Sequence, residues 1–222
     1  MSRTPALKTS LRYVPAGAIE LEALCGIPGG AAGIVLFAHG SGSGRHSPRN
    51  SFVADALQRA GIATVLLDLL TEREAADRAN VFDVAFLATR LRAATDWVRE
   101  QAETRQLPVG YFGASTGAAA ALIAAASDAS IAAIVSRGGR PDLAHAALGR
   151  VQAPTLLIVG GDDHVVIRLN EEAYVRLRCE KEMRIVPGAG HLFEEPGTLE
   201  EVVRLATKWY ERYLGGDERR AI

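Results

Sequence analysis

The sequence predicts an α/β fold in which a mostly parallel central sheet of about eight strands is covered by helices on both faces. Continuous apolar runs, such as residues 33–38 and 109–112, are typical of strands buried on both sides. Segments with helical periodicity, such as residues 82–103, separate these runs. Because neither an internal repeat nor a linker interrupts this alternation, we expect residues 1–222 to form a single domain.

The elements follow in order from local signals. Two short strands around a Pro-Ala-Gly turn open the chain, and a helix capped by Ser47 with Pro48 in its first turn follows the third strand. The predicted strands span residues 11–14, 19–24, 33–38, 63–67, 109–112, 131–135, 155–159 and 181–186. The predicted helices span residues 48–60, 82–103, 115–127, 141–148, 167–177 and 199–214.

Composition excludes several classes of function. The net charge is −1, so no basic surface for nucleic acid is expected. The only two cysteines, Cys25 and Cys179, are far apart, and neither a redox motif nor a zinc motif is present. No apolar run approaches a membrane span, and the first residues lack a signal-peptide core. We therefore expect a cytoplasmic protein with no metal, no cofactor and no membrane partner.

Segments whose residues could take part in catalysis follow four of the predicted strands. In parallel sheets, functional residues collect beyond the carboxyl ends of the strands. The four segments are His39-Gly-Ser-Gly-Ser-Gly44, Gly113-Ala-Ser-Thr-Gly117, Gly160-Gly-Asp-Asp163 and Pro187-Gly-Ala-Gly-His191.

Ser115 lies in a G-x-S-x-G turn between a strand and a helix, the pattern of a nucleophile elbow. The sharp turn exposes the serine Oγ, and the helix N-terminus favours negative charge beside it. The alternative, a serine that only caps the helix, is weakened by the strand-turn-helix context. We predict that Ser115 is a nucleophile.

A serine needs a base, and His191 is the candidate because it follows the last strand in a glycine-rich loop. His39 also ends a strand, where it either braces its loop or contacts substrate. The acid that orients the base is expected at Asp163, with Asp162 as the alternative at the same turn. Asp68 ends another strand but lies before the serine in the chain.

The oxyanion of an acyl-transfer reaction needs hydrogen-bond donors. We expect the backbone N–H of Thr116, next to the nucleophile, and that of Ser41, in the loop after His39. A flexible Gly/Ser turn is the alternative for this loop. A phosphate-binding loop is excluded because the segment lacks the Gly-Lys-Ser/Thr ending.

Taken together, these segments resemble the α/β-hydrolase superfamily, and most closely its small dienelactone-hydrolase-like branch, over nearly the whole chain. The motifs that carry the resemblance are LFAHGSGSGRHSPRN, GYFGASTGAAAAL, PTLLIVGGDDHVV and VPGAGHLFEEPG. The resemblance implies a catalytic triad of Ser115, Asp163 and His191 in the chain order of that fold. Hydrolases of dienelactone itself carry a cysteine nucleophile, so serine at position 115 favours an esterase-like activity.

The substrate is expected to be small. The segment 136–154, where many larger hydrolases insert a lid domain, has room for one short helix. Arg137, placed just past a strand end, and Arg45 are candidates to bind an anionic ester or lactone, because guanidinium groups pair with carboxylates in bidentate fashion. A structural ion pair or a solvated surface charge is the alternative role for each.

The sequence therefore predicts a serine hydrolase that cleaves small esters or lactones through an acyl-enzyme. The alternatives are an acyltransferase or thioesterase with the same triad, and a non-catalytic ligand-binding protein on the same fold. The apolar face of the last helix, with Leu205, Trp209 and Tyr213, packs in the core or serves a possible homodimer.

Overall fold

The computed structural model describes residues 9–215, and its architecture is an eight-stranded sheet with helices on both faces. The first eight residues, part of the segment in which no signal peptide is expected, lie outside this range. The strands are β1 (Thr9–Ala16), β2 (Ile19–Gly26), β3 (Ile34–Ala38), β4 (Ala63–Leu67), β5 (Val109–Ala114), β6 (Ala133–Arg137), β7 (Thr155–Gly160) and β8 (Lys181–Val186).

Seven α-helices and one 3₁₀ helix lie in the described range. The α-helices are α1 (Pro48–Arg59), α2 (Glu72–Ala75), α3 (Arg78–Phe82), α4 (Val84–Glu100), α5 (Thr116–Ala125), α6 (His164–Arg176) and α7 (Thr198–Leu214), and the 3₁₀ helix spans Pro141–Arg150. This 3₁₀ helix is the only helix between β6 and β7, so no lid domain covers the strand ends there.

The strand order is β1-β2-β4-β3-β5-β6-β7-β8. The β1–β2 and β2–β4 pairs are antiparallel, and every pair from β4 to β8 is parallel. The carboxyl ends of β3, β5, β6, β7 and β8 therefore lie along one edge of the sheet, which is where the sequence predicts the functional residues.

Alternate residues of each strand face two separate hydrophobic cores. In β3, Ile34 and Leu36 pack toward α4 and α5, whereas Val35 and Phe37 pack toward α1 and α7. Residues of the central strands are almost wholly buried, as the continuous apolar runs predict. Leu205, Trp209 and Tyr213 of α7 pack against the second core, which favours the core interpretation of that helix face.

The structure corrects several element boundaries. Strand β6 is shifted two residues toward the C-terminus of the prediction, because Arg137 still pairs with Ala114 and Ile158. Arg137 is thus the last residue of a strand rather than a loop residue past its end. The long helix predicted from residue 82 begins at Val84, where the Asp83 side chain caps its first turn.

Helices α2 and α3 were not predicted. Both are only four or five residues long and carry no buried residue, so hydrophobic periodicity gives no signal for them. Helix α2 does begin with a capping box, in which Thr71 and Glu74 exchange side-chain and backbone hydrogen bonds. That T-x-x-E pattern is the sequence signal that could have identified it.

Candidate active site

Ser115 occupies a strained turn between β5 and α5. Its φ of 51° and ψ of −122° place it outside the regions that a residue with a side chain prefers. The turn is held by backbone hydrogen bonds: the N–H groups of Ala118 and Arg140 donate to the Ser115 carbonyl at 3.1 and 2.9 Å. Strain of this kind persists where surrounding contacts hold it, and it is common at functional sites.

The two glycines of the motif allow the turn because nothing larger fits. A Cβ at Gly113 would overlap the backbone of Ala118, and one at Gly117 would overlap the carbonyl oxygens of Ala38 and His39. The helix that follows the serine therefore lies directly against the end of β3. This close approach brings Ser115 next to the loop that is expected to bind the oxyanion.

His191 and Asp163 form a hydrogen-bonded pair. The distance from His191 Nδ1 to Asp163 Oδ2 is 2.7 Å, and the other carboxylate oxygen of Asp163 accepts the Val166 N–H at the start of α6. That second bond makes Asp163 the N-cap of α6, which is why the helix begins at His164, earlier than predicted. Asp162, the alternative acid, is exposed, and its backbone N–H bonds to Ala189 instead.

The imidazole of His191 lies over the end of β6, one strand away from Ser115. A Cβ built on Gly138 would be 3.8 Å from His191 Cε1 and 2.8 Å from the His191 carbonyl oxygen. Within residues 9–215, Ser115 Oγ makes no hydrogen bond to the imidazole. Catalytic hydrogen bonds are often long in unliganded enzymes, so the proton transfer between these two groups belongs to the proposal below.

Thr116 and Ser41 lie together beside Ser115. As the first residue of α5, Thr116 has an N–H that no carbonyl of its own helix can accept. The Ser41 N–H donates to the Thr116 hydroxyl at 3.1 Å. A Cβ on Gly40 would lie 2.9 Å from Ser115 Cβ, so the Ser41 loop is close to the serine. Sequence reasoning did not foresee that the Thr116 side chain would hold this loop.

His39 begins that loop, and both of its ring nitrogens are hydrogen-bonded to backbone groups. Nδ1 is 2.9 Å from the Gly40 carbonyl oxygen, and Nε2 accepts the Leu69 N–H at 3.1 Å. These partners require the neutral ring with its proton on Nδ1. Burial lowers the pKa of His39 below its usual value of 6.5. The geometry corresponds to the brace interpretation, because no ring nitrogen is left for a substrate.

Arg45 is held by two carboxylates, those of Asp68 and Glu22. The Asp68 carboxylate also accepts the Arg45 backbone N–H at 2.6 Å. The Asp68 side chain at the end of β4 thus fixes the loop after β3. These contacts match the structural ion pair that was the alternative to substrate binding.

Arg137 points toward α1 and the segment after His191. Its guanidinium lies 3.4 Å from Asn50 Oδ1 and 3.5 Å from the Leu192 carbonyl oxygen, with the Phe193 ring centroid 6.0 Å away. The side chain is 6% exposed. Arg137 is part of β6 rather than of a loop, and it does not line the cavity described below.

A cavity of about 390 Å³ adjoins the loop after β3. It is lined by residues of that loop, by apolar residues such as Leu21 and Leu87, and by the acidic residues Glu20, Glu22 and Glu72. The volume is within the range of small-molecule sites. Among residues 9–215, no group of three or more His, Cys, Asp or Glu side chains is placed to hold a metal ion.

Comparison with known proteins identifies the family. The model of the dienelactone hydrolase family matches residues 23–214. The chain belongs to this family. A crystal structure of dienelactone hydrolase from Anabaena variabilis is 52% identical, with a TM-score of 0.91, over 94% of this chain and 99% of that one. A protein of Xanthomonas campestris described as an α/β serine hydrolase without lid shares the fold, at 21% identity and a TM-score of 0.74 over 92% and 94% of the two chains.

A curated relative carries a different kind of name. It is "Putative phosphoribosyl transferase Rv0571c" of Mycobacterium tuberculosis, which is 54% identical over 96% of this chain. The chain spans only 48% of that protein's length.

Within residues 9–215 of the present chain, no helix has both the length and the apolar character needed to cross a bilayer.

Proposed function

We propose that this member of the dienelactone hydrolase family is a serine hydrolase that cleaves carboxylic esters or lactones of small substrates. The observation that carries the proposal is the hydrogen-bonded pair of Asp163 and His191, placed one strand away from a serine in a strained elbow. A fold needs neither the strained serine nor an acid aligned on a ring nitrogen. Together they form the arrangement that activates a hydroxyl for acyl transfer.

The reaction begins when Ser115 Oγ attacks the carbonyl carbon while His191 Nε2 takes the hydroxyl proton. The Asp163 carboxylate accepts the Nδ1–H, which keeps Nε2 free of a proton and stabilises the imidazolium that forms. The imidazolium then gives its proton to the leaving alkoxide, and the alcohol departs. With a lactone the alcohol stays tethered to the acyl group.

The tetrahedral intermediate carries a negative oxygen that needs donors. The Thr116 N–H at the start of α5 is one. The Ser41 N–H is the other. It donates to the Thr116 hydroxyl in the unliganded site, and we propose that it donates to the oxyanion as well when the intermediate forms. Water then attacks the acyl carbonyl carbon while His191 takes a proton from it. The imidazolium returns that proton to Ser115 Oγ as the bond between Oγ and the acyl carbon breaks, and the free acid departs.

The cavity beside the Ser41 loop is proposed to hold the substrate's acyl or alcohol group. Its size suits a short chain or a single ring. In the sequence, Arg137 and Arg45 were candidates to hold an anionic group. Because Arg45 is already paired with Glu22 and Asp68, and further carboxylates line the cavity, we propose an uncharged group at that place.

Two measurements test the proposal. A fluorophosphonate probe should label the protein at Ser115, and Ser115→Ala should lower ester hydrolysis by about 10⁴-fold or more, because the triad acts as a unit. Ser127→Ala, in the turn after α5, is the matched control and should keep full activity. Labelling at another residue, or an active Ser115→Ala protein, would contradict the proposal.

A panel of esters that varies acyl length and charge locates the substrate class. We expect short uncharged esters to have the highest kcat/KM. Product analysis with an added alcohol or thiol separates hydrolysis from acyl transfer: a hydrolase forms free acid in the presence of the acceptor, whereas an acyltransferase forms the new ester or thioester.

A further inference from the structure

Arg137 is a buried cation for which the described part of the chain supplies no carboxylate partner. Its side chain is 6% exposed, and its hydrogen-bond acceptors are an amide oxygen and a backbone carbonyl. Other partly buried arginines near the site differ: Arg45 and Arg49 each pair with at least one carboxylate. Burying a charge without a counter-charge costs desolvation free energy. A residue that is kept in such a place is therefore a candidate for a functional role.

The contacts of Arg137 join two parts of the active site. One terminal nitrogen lies 3.4 Å from Asn50 Oδ1, in the first turn of α1, and the other lies 3.5 Å from the carbonyl oxygen of Leu192, next to His191. The guanidinium also lies under the ring of Phe193. Both hydrogen bonds are long, and Nε has no partner within residues 9–215. Such contacts hold a segment in place but satisfy the charge poorly.

The segment that Arg137 contacts needs to be held. Phe193 has a φ of 56°, a left-handed conformation that is unusual for a bulky residue. It persists where neighbouring contacts fix it, and here the Phe193 side chain is buried against the second core. The backbone between that anchor and the Asp163 hydrogen bond determines where the imidazole points.

We propose that Arg137 is a positioning residue for the catalytic base: its guanidinium holds the segment 191–193 against α1 and thereby keeps the His191 imidazole over Gly138, between Asp163 and Ser115. The inference rests on the proposed function, since it assigns His191 the role of base. It differs from the expectation drawn from sequence, in which Arg137 binds the substrate's carboxylate.

The burial of the Arg137 cation indicates that the residue contributes little to the stability of the fold, which is consistent with a role in activity. Burial, with a smaller effect from the nearby charge of Arg49, lowers the pKa of Arg137 to about 10. The charged form is thus disfavoured by its surroundings. Replacing the guanidinium by an apolar side chain of similar length removes that penalty but leaves Asn50 Oδ1 and the Leu192 carbonyl without this donor, so the two effects oppose each other and the net change in stability should be small.

The kinetic test compares Arg137→Met and Arg137→Lys with the wild type, on a neutral ester and on its carboxylate analogue. For Arg137→Met we expect kcat to fall by about 10–100-fold for both esters, with KM unchanged within about twofold, because the base is misplaced while the pocket is intact. Arg137→Lys should recover most of this loss, since an ammonium still donates toward Leu192. Arg204→Met, at an exposed arginine on α7, is the matched control.

Outcomes that overturn the inference are distinct from these. A rise in KM confined to the carboxylate ester would make Arg137 a substrate contact. Unchanged kinetics in Arg137→Met, or a large drop in its melting temperature, would likewise refute a positioning role, the latter because the residue would then hold the fold. We expect the melting temperature of Arg137→Met to stay close to that of the wild type.

A spectroscopic measurement separates failure of this inference from failure of the proposed function. The proton shared by His191 Nδ1 and Asp163 should give a downfield NMR resonance in the wild type, whether or not any ester is cleaved. We expect this resonance to broaden or shift in Arg137→Met and to be retained in Arg204→Met. If it is unchanged in Arg137→Met, Arg137 does not position the imidazole. If the wild type shows the resonance but no fluorophosphonate labelling, the hydrolase proposal fails and with it the role of His191 as base, whereas the resonance of Arg137→Met still decides whether Arg137 positions the imidazole.

Discussion

Replacing Asp163 with asparagine tests whether the carboxylate acts on His191 through charge and tautomer. Asparagine has the same shape, and its Oδ1 can still accept the Val166 N–H, so α6 keeps its cap. Its amide nitrogen, however, donates a hydrogen bond where the carboxylate accepts one. His191 Nδ1 must then become an acceptor, and the ring proton moves to Nε2, the nitrogen that receives the proton of Ser115 in the proposed reaction.

The magnitude follows from the geometry. With the heavy atoms 2.7 Å apart, the centres of the two charges are separated by about 4 Å, which corresponds to about 4 kcal/mol at an effective dielectric constant of 20 and about 1 kcal/mol in water. The side chains of Asp163 and His191 are 15% and 39% exposed, so an intermediate value of about 2–3 kcal/mol applies. The wrong tautomer adds to this, and we expect kcat to fall by about 10³–10⁴-fold, or about 4–5 kcal/mol.

The assay is steady-state hydrolysis of a short ester by Asp163→Asn and by Asp162→Asn, with melting temperatures measured in parallel. Asp162 is the neighbouring exposed residue, and its replacement should change kcat by less than about twofold. Both variants should melt close to the wild type. The reasoning fails if Asp163→Asn retains more than about a tenth of kcat, or if Asp162→Asn loses as much activity as Asp163→Asn.

Two further predictions concern stability. Gly117→Ala should lower the melting temperature by about 5–10 °C or prevent folding, because its Cβ would overlap the carbonyl oxygen of Ala38, whereas Gly29→Ala, with open space around it, should be neutral. The second prediction concerns His39, which is neutral in the fold with its pKa lowered by burial, whereas the unfolded chain takes up a proton as the pH falls through about 6.5. The free energy of unfolding should therefore decrease by up to about 1.4 kcal/mol per pH unit below that point, and urea unfolding at pH 7.5 and 5.5 should show a smaller decrease for His39→Gln. Equal decreases in the wild type and in His39→Gln would refute the second prediction.

Sequence patterns predicted the parallel part of the sheet well, because burial on both faces leaves a simple signal. β4 and β8 match their predicted ranges, and every other predicted strand has a counterpart. The errors lie where a polar residue continues a strand or a short helix is exposed. Arg137 ends β6 because it pairs with two neighbouring strands, and the pairing of a residue depends on neighbours distant in sequence.

Residue roles were harder to predict than positions. His39, Arg45 and Arg137 all have side chains that can bind substrate, and all three were candidates for it. In the structure each contacts protein groups: backbone for His39, two carboxylates for Arg45, and Asn50 with Leu192 for Arg137. The chemistry of a side chain determines which partners it can bind. Which partners it meets is decided by packing between segments that no local pattern describes.

The strand order explains why the histidine needs support that the serine does not. Ser115 is fixed by its own strand and helix, and its elbow ends the central strand β5. His191 follows β8, which lies three strands away, a distance of about 14 Å at the usual spacing between neighbouring strands. The loop after β8 must therefore cross the ends of β7 and β6 to bring its imidazole near the serine. Asp163, at the end of β7, and the buried contacts of Phe193 and Arg137 lie along that path. If His191 acts as the proposed base, its position depends most on the contacts that hold this crossing, and substitutions there, distant from the reacting atoms, should reduce turnover while leaving the fold intact.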